Sequence, residues 1–224
     1  MPDEFPNTGW TVIHQVQGLS DSHAARRECL SKMAERYQGP VRAMMRAWGL
    51  RDEHELDDAS QAFFLDFLSK NWLDRLSREK GRFRGFLRAS IHHFLVDRKR
   101  RDRRPAASLE AGEEPPDDAA TPDQAFDRAW ARQIMDRAVA GFRAECAARD
   151  LLRWWTVFER HVLGEENPSL RETASLISAT PKEAAGCLHR ARARFAELVR
   201  ELVAETVGAA ADIDDEMECL RRSL

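Results

Sequence analysis

Strand-forming residues, paired cysteines and long apolar runs are scarce or missing in this chain of 224 residues. There is one tyrosine, and β-branched residues do not gather into alternating runs, so a sheet has little to build on. The four cysteines, Cys29, Cys146, Cys187 and Cys219, stand without paired spacing. That excludes a disulfide frame or a zinc site and points to reduced thiols in a cytoplasm. No apolar run approaches membrane-spanning length, and the acidic start MPDEFP does not read as a signal peptide. A Gly-rich phosphate loop, an HExxH pair and a nucleophilic triad pattern are also missing, so neither an enzyme nor a cofactor is expected. The formal charge of −3 is not that of an overall basic protein. Any role with nucleic acid must therefore rest on where the charges sit.

What is present is Ala, Leu, Arg and Glu in abundance, the composition of a soluble helical protein. The pattern predicts an all-α fold of two helical domains joined by a flexible acidic linker, the second ending in a helix-turn-helix. Residues 1–21 are expected to be an irregular extension with Trp10, Val12 and Ile13 as its apolar anchors. The first domain covers 22–104. Its first helix carries Leu30, Met33, Tyr37, Val41, Met44, Met45 and Trp48 at helical spacing, with an interruption expected at Gly39-Pro40. A second helix runs from about Asp52 to Leu68, with Phe63, Phe64 and Phe67 facing the core. The third, FRGFLRASIHHFLVDRKRR, ends in a basic run of Arg98, Lys99, Arg100, Arg101, Arg103 and Arg104. A helix dipole favours cations at that end, but six exceed what a dipole needs, so a phosphate-contacting patch is expected. His92 and His93 are neighbours, which a helix points about 100° apart. One is expected to make a polar contact and the other to be half-buried, and neither arrangement suits a metal.

Residues 105–125 are acidic and rich in proline, a solvated linker. Twenty extended residues reach at most about 65 Å, or about 19 base pairs, enough to place two basic helices on separated DNA sites. The second domain spans 126–207. Within it, Ser169 and Glu172 have capping-box spacing, and so do Thr180 and Glu183, with Pro181 at the first helical position. Ile177, Ser178 and Ala179 lie between the two helices. Leu170, Ala174 and Ile177 form one apolar face; Ala184, Leu188, Ala191 and Phe195 form another. Arg190, Arg192, Arg194 and Arg200 make the second helix basic, the form that docks in a major groove. An ordinary helical hairpin with solvated arginines is the alternative. The acidic tail, 208–224, is expected to begin as a loop and end in a short helix, with Ile213, Met217 and Leu220 as a small apolar stripe suited to docking.

The stretch ETASLISATPKEAAGCLHRARARF resembles, without a gap, the last domain of extracytoplasmic-function sigma factors of bacterial RNA polymerase. ELDDASQAFFLDFL is similar to the acidic helix with which those factors bind the polymerase, and FRGFLRASIHHFLVDRKRR to their helix for the promoter −10 element. TGWTVI, GRFRGFL and TPDQAFDRAWA resemble a group of these factors with terminal extensions. The similarity runs over about residues 8 to 207. It implies transcription initiation through core RNA polymerase (β and β′ subunits) and promoter DNA, with an anti-sigma protein or a regulatory kinase as candidate further partners, and no membrane insertion.

Carried over residue by residue, the resemblance implies polymerase binding by Glu55, Asp57, Asp58 and Gln61. For the −10 region it implies Arg78, Lys80, Arg82, His92, His93, Arg98, Lys99, Arg100 and Arg101, with Trp72 as a stacking candidate. His93 stands where the family often has Asn. For the −35 region it implies Lys182, Glu183, Ala185, Gly186, His189, Arg190 and Arg192. Ala184, Ala185, Gly186 and Cys187 replace the family's longer polar side chains, and such small groups cannot reach base edges bidentately. A helix-turn-helix regulator that does not bind core polymerase is the alternative function, and a protein-binding helical adaptor a third.

Overall fold

The computed structural model of the chain describes residues 23–69, 83–102, 120–165, 168–207 and 210–224. Among these the protein is all-α: α1 His23–Trp48, α2 Glu53–Ser69, α3 Phe83–Asp102, α4 Pro122–Ala148, α5 Leu152–Phe158, α6 Leu170–Leu176, α7 Pro181–Ala204 and α8 Ile213–Ser223. A π-helical turn, Glu159–Leu163, extends α5, and a 3₁₀ turn, Ala210–Asp212, precedes α8. No described helix is long and apolar enough to cross a membrane.

The chain divides into two compact units. Unit 1 comprises 1–133 together with 204–224, and unit 2 comprises 134–203. The division falls inside α4, after Gln133, so the first turns of α4 and the whole of α8 belong with α1, α2 and α3. The acidic stretch expected to tether two domains leads from α3 to the start of α4, and both lie in unit 1.

Unit 1 packs Tyr37, Val41, Met44 and Met45 of α1 against Leu56, Phe63 and Phe67 of α2 and Phe83, Leu87, Ile91 and Leu95 of α3, all buried. Phe63 meets Phe64 and Phe94 edge-on at 5.4 and 5.6 Å, which accounts for the α2 phenylalanines as core. The interruption expected at Gly39-Pro40 does not occur, because α1 runs unbroken through Pro40. A mid-helix proline costs about 3 kcal/mol. Burial of Pro40 and of its neighbours Tyr37, Val41 and Met44 offsets that loss.

Helix α4 starts at Pro122, inside the expected linker. The Gln124 N–H donates to Thr121 Oγ1 (3.2 Å), and the Thr121 N–H donates to Gln124 Oε1 (2.9 Å), a capping box with proline at the first helical position. The acidic run of the tail also differs from its expected loop. Asp214, Asp215 and Glu216 form the first turn of α8, where the helix dipole favours carboxylates.

In unit 2, Phe142 of α4 contacts Phe158 (4.9 Å between ring centres), and Phe158 contacts Phe195 of α7 (4.7 Å). A second cluster joins Val157, Ala174, Ile177, Ala184, Cys187 and Leu188, with Trp154, Leu170 and Ala179 at its margin. This cluster fixes α6 against α7.

Candidate nucleic-acid interface

Local chemistry sets both ends of the α6–α7 pair. The Glu172 N–H donates to Ser169 Oγ, while the Ser169 N–H and hydroxyl donate to Glu172 Oε2 at 2.8 and 2.9 Å. Thr180 and Glu183 repeat the arrangement at the start of α7, at 2.7 and 2.8 Å. The backbone and hydroxyl hydrogen bonds hold both carboxyls below their ordinary range. Between the helices, Ser178 adopts a left-handed φ of 51°. The Ala179 N–H then reaches the Ala174 carbonyl at 2.9 Å, and the Ser178 N–H reaches that of Ser175 at 3.4 Å. That is a Schellman ending built on serine where glycine is usual.

With Ala184, Leu188, Ala191 and Phe195 turned inward, Lys182 and His189 stand exposed on the opposite face of α7 and Arg192 stands exposed on its flank, with Ala185 and Gly186 half-buried. Arg190 is exposed but lies over the Trp154 ring at 5.5 Å, on the flank of that face. A Cβ at Gly186 would meet the Arg190 guanidinium at 3.6 Å, an ordinary contact. Glu183 is exposed and occupied by the cap, so it is part of the helix start before it is a contact residue. Arg194, which the sequence groups with the basic face, is bound to Glu145 (3.0 Å), Glu197 (3.1 Å) and Glu201 (2.8 Å) within unit 2. Burial alone would raise the Glu145 carboxyl, but hydrogen bonds from Arg149 and Arg194 leave it below its usual value. His161 donates to or accepts from Thr173 Oγ1 at 2.9 Å. Burial, then the charges of Arg192 and Arg160, push its imidazole below the ordinary value.

In unit 1, Lys99, Arg100 and Arg101 at the end of α3 are exposed. Arg98 is half-buried and bonds Glu55 Oε1 of α2 at 3.0 Å. His92 and His93 are both exposed, not one of them half-buried as the sequence suggested. His92 stands edge-on to Trp48 at 4.8 Å, and His93 lines a small cavity with Phe63, Phe67 and Asp97. Of the acidic set on α2, Glu55 is tied to Arg98 and Asp57 to Arg42. Asp58 and Gln61 are exposed, and Leu65, 68% exposed, follows at helical spacing on their face. Arg78, Lys80, Arg82, Trp72, Arg103 and Arg104 lie outside the described residues.

The sequence reading missed a buried ionic cluster on the first half of α3. Arg84 is 4% exposed. Its Nε donates to Glu216 Oε1 (2.7 Å) and its Nη2 to Glu216 Oε2 (3.2 Å), and Glu216 of α8 is fully buried. Arg84 also pairs with Asp127 of α4, which takes a second bond from Arg88 Nη1 at 2.7 Å. The guanidinium lies 4.6 Å from the centre of the Trp130 ring. Burial alone would lower the Arg84 pKa, but the Glu216 hydrogen bonds and charge, with Asp127, raise it beyond its ordinary value. One signal was available. Glu216 falls on the same stripe as Ile213 and Leu220, and an acid on an apolar stripe needs a buried cation.

No protein-family model, curated protein or solved structure matches this chain.

Proposed function

We propose that the chain is a sigma factor of the extracytoplasmic-function type, acting in the cytoplasm by binding core RNA polymerase and directing it to promoter DNA. The observation that carries the reading is the α6–α7 pair. Two reciprocally capped helices with a left-handed turn between them bury one face of α7 and turn Lys182, His189 and Arg192 to solvent. That is the form of a DNA-docking helix-turn-helix. The exposed basic end of α3 supplies a second cationic surface, suited to phosphates. Small side chains at Ala185 and Gly186 favour close backbone approach to the duplex over bidentate base reading. The acidic face of α2, with Asp58, Gln61 and the exposed Leu65, supplies a surface of opposite sign for the polymerase.

One observation favours the alternative of a regulator that does not bind polymerase: Glu55 and Asp57 are already paired with Arg98 and Arg42 inside unit 1. A pull-down with core RNA polymerase separates the two. The sigma reading expects a stable complex that starts transcripts at a defined promoter class, and weaker binding by Asp58→Lys with the fold unchanged. A chain that binds duplex DNA but not core polymerase is the alternative regulator.

A further inference from the structure

Arg84, Arg88, His92 and Lys99 fall within an arc of about 80° on α3, since successive residues turn by about 100°. This is one cationic stripe along the helix proposed above to meet promoter DNA. Its two ends are treated differently. Lys99 is exposed, whereas Arg84 and Arg88 are held by carboxylates brought from far along the chain, Asp127 of α4 and Glu216 of α8. Beside them runs an open groove of about 290 Å³, lined by Gly85, Arg88, Ala89, His92, His93 and Asp123. Asp123 and Asp127 are one helical turn apart, so α4 turns two acids toward the stripe and α8 adds a third. Carboxylates paired with arginine forks in this way have the geometry by which arginines hold phosphate oxygens.

We infer that α8 and the first turns of α4 form an autoinhibitory latch on α3, in which Asp123, Asp127 and Glu216 stand in for nucleic-acid phosphates. In the latched state Arg84 and Arg88 are withheld while His92 and Lys99 stay exposed, and the residues between Gln133 and Ala204 leave and rejoin the same unit. Release frees Arg84 and Arg88 for the duplex, so DNA binding and opening of the α8 latch are coupled and must favour one another reciprocally. Duplex affinity of the free chain is then reduced by the fraction of molecules that are open.

The inference rests on the DNA-binding reading above, and the experiment separates the two. Binding of the full chain to a labelled duplex is measured by fluorescence anisotropy at fixed salt. Glu216→Gln keeps the side chain's shape but removes its charge. Removing one charge of a buried pair favours the open state strongly enough that duplex binding should tighten by about tenfold or more. Asp123→Asn with Asp127→Asn should act in the same direction, and Arg84→Gln added to Glu216→Gln should take the gain away. Hydrogen exchange of the unaltered chain gives a readout that no folding defect can mimic, with α8 amides exchanging faster in the DNA complex than in the free protein. Duplex binding unchanged by Glu216→Gln, or α8 amides that stay protected in the complex, would overturn the latch while leaving DNA binding standing. If neither the unaltered chain nor any variant binds duplex, the DNA reading fails and the latch falls with it.

Discussion

Helices α3 and α7 are both rich in arginine, yet the two place their cations in opposite circumstances. In α3 the first half is fastened into unit 1 by a buried guanidinium, and the exposed cations gather at the carboxyl end, where the helix dipole stabilises them. In α7 the exposed Lys182 stands in the first turn, where the dipole disfavours a cation, and Arg194 further along is absorbed by three glutamates. A cation where the helix itself gains nothing from it is a better pointer to an outside anion than one at a helix end. Similar basic composition thus hides three kinds of cation: fastening, dipole-favoured and outward-facing.

The largest test of that contrast is within α3. Arg84→Ala leaves Glu216 buried without its main partner and should cost about 3–5 kcal/mol. Arg100→Ala at the exposed end of the same helix should stay within about 0.5 kcal/mol. Denaturant unfolding followed by hydrogen exchange in α3 measures both, and similar losses would show that burial does not separate them. Next, Arg100→Gln with Arg101→Gln should lower duplex affinity and make its salt dependence shallower by roughly 1.8 in the log–log slope, about 0.9 for each phosphate no longer neutralised. An unchanged slope would place the phosphate-binding cations elsewhere.

On α7, Gly186→Ala should raise the stability of unit 2 by about 1 kcal/mol, because alanine is the better helix former and its Cβ meets only ordinary contact. If α7 approaches DNA through its backbone, the same change should weaken duplex binding. A gain in stability with no loss of binding would argue against close approach there.

The smallest effect is expected from pH. His161 has a folded-state pKa below its ordinary value of about 6.5, so the unfolded chain takes up the proton more readily. Unit 2 should be insensitive to this group well above pH 6.5 and lose stability as pH falls through that value toward the lowered one. His161→Gln should remove that slope in thermal unfolding measured across the range.

Much of the helix layout was legible in the sequence because its causes are local. The boxes at Ser169–Glu172 and Thr180–Glu183 form as spaced, and α2, α3, α6 and α7 fall within a residue or two of where their patterns put them. The Thr121–Gln124 box has the same Thr-Pro-x-acid-or-amide signature as Thr180–Glu183, but the surrounding prolines and acids drew it into the linker. The exposed candidates on α3 and α7 were readable as the faces left when apolar spacing is turned inward. Arg194 was not, since its partner Glu145 lies 49 residues earlier.

By itself, then, the sequence determined where α2, α3, α6 and α7 start and stop, which face of each is apolar, and the all-α class of the described residues. Those properties arise from hydrogen bonds and side-chain spacing within a few residues. Only the tertiary structure decided that Pro40 could sit inside a continuous helix, that α8 belongs with the first unit, and that Arg84 is a fastening. Arg84 and Glu216 are 132 residues apart. A charge pair becomes a buried fastening only when packing removes both partners from water together, and no local pattern reports that event.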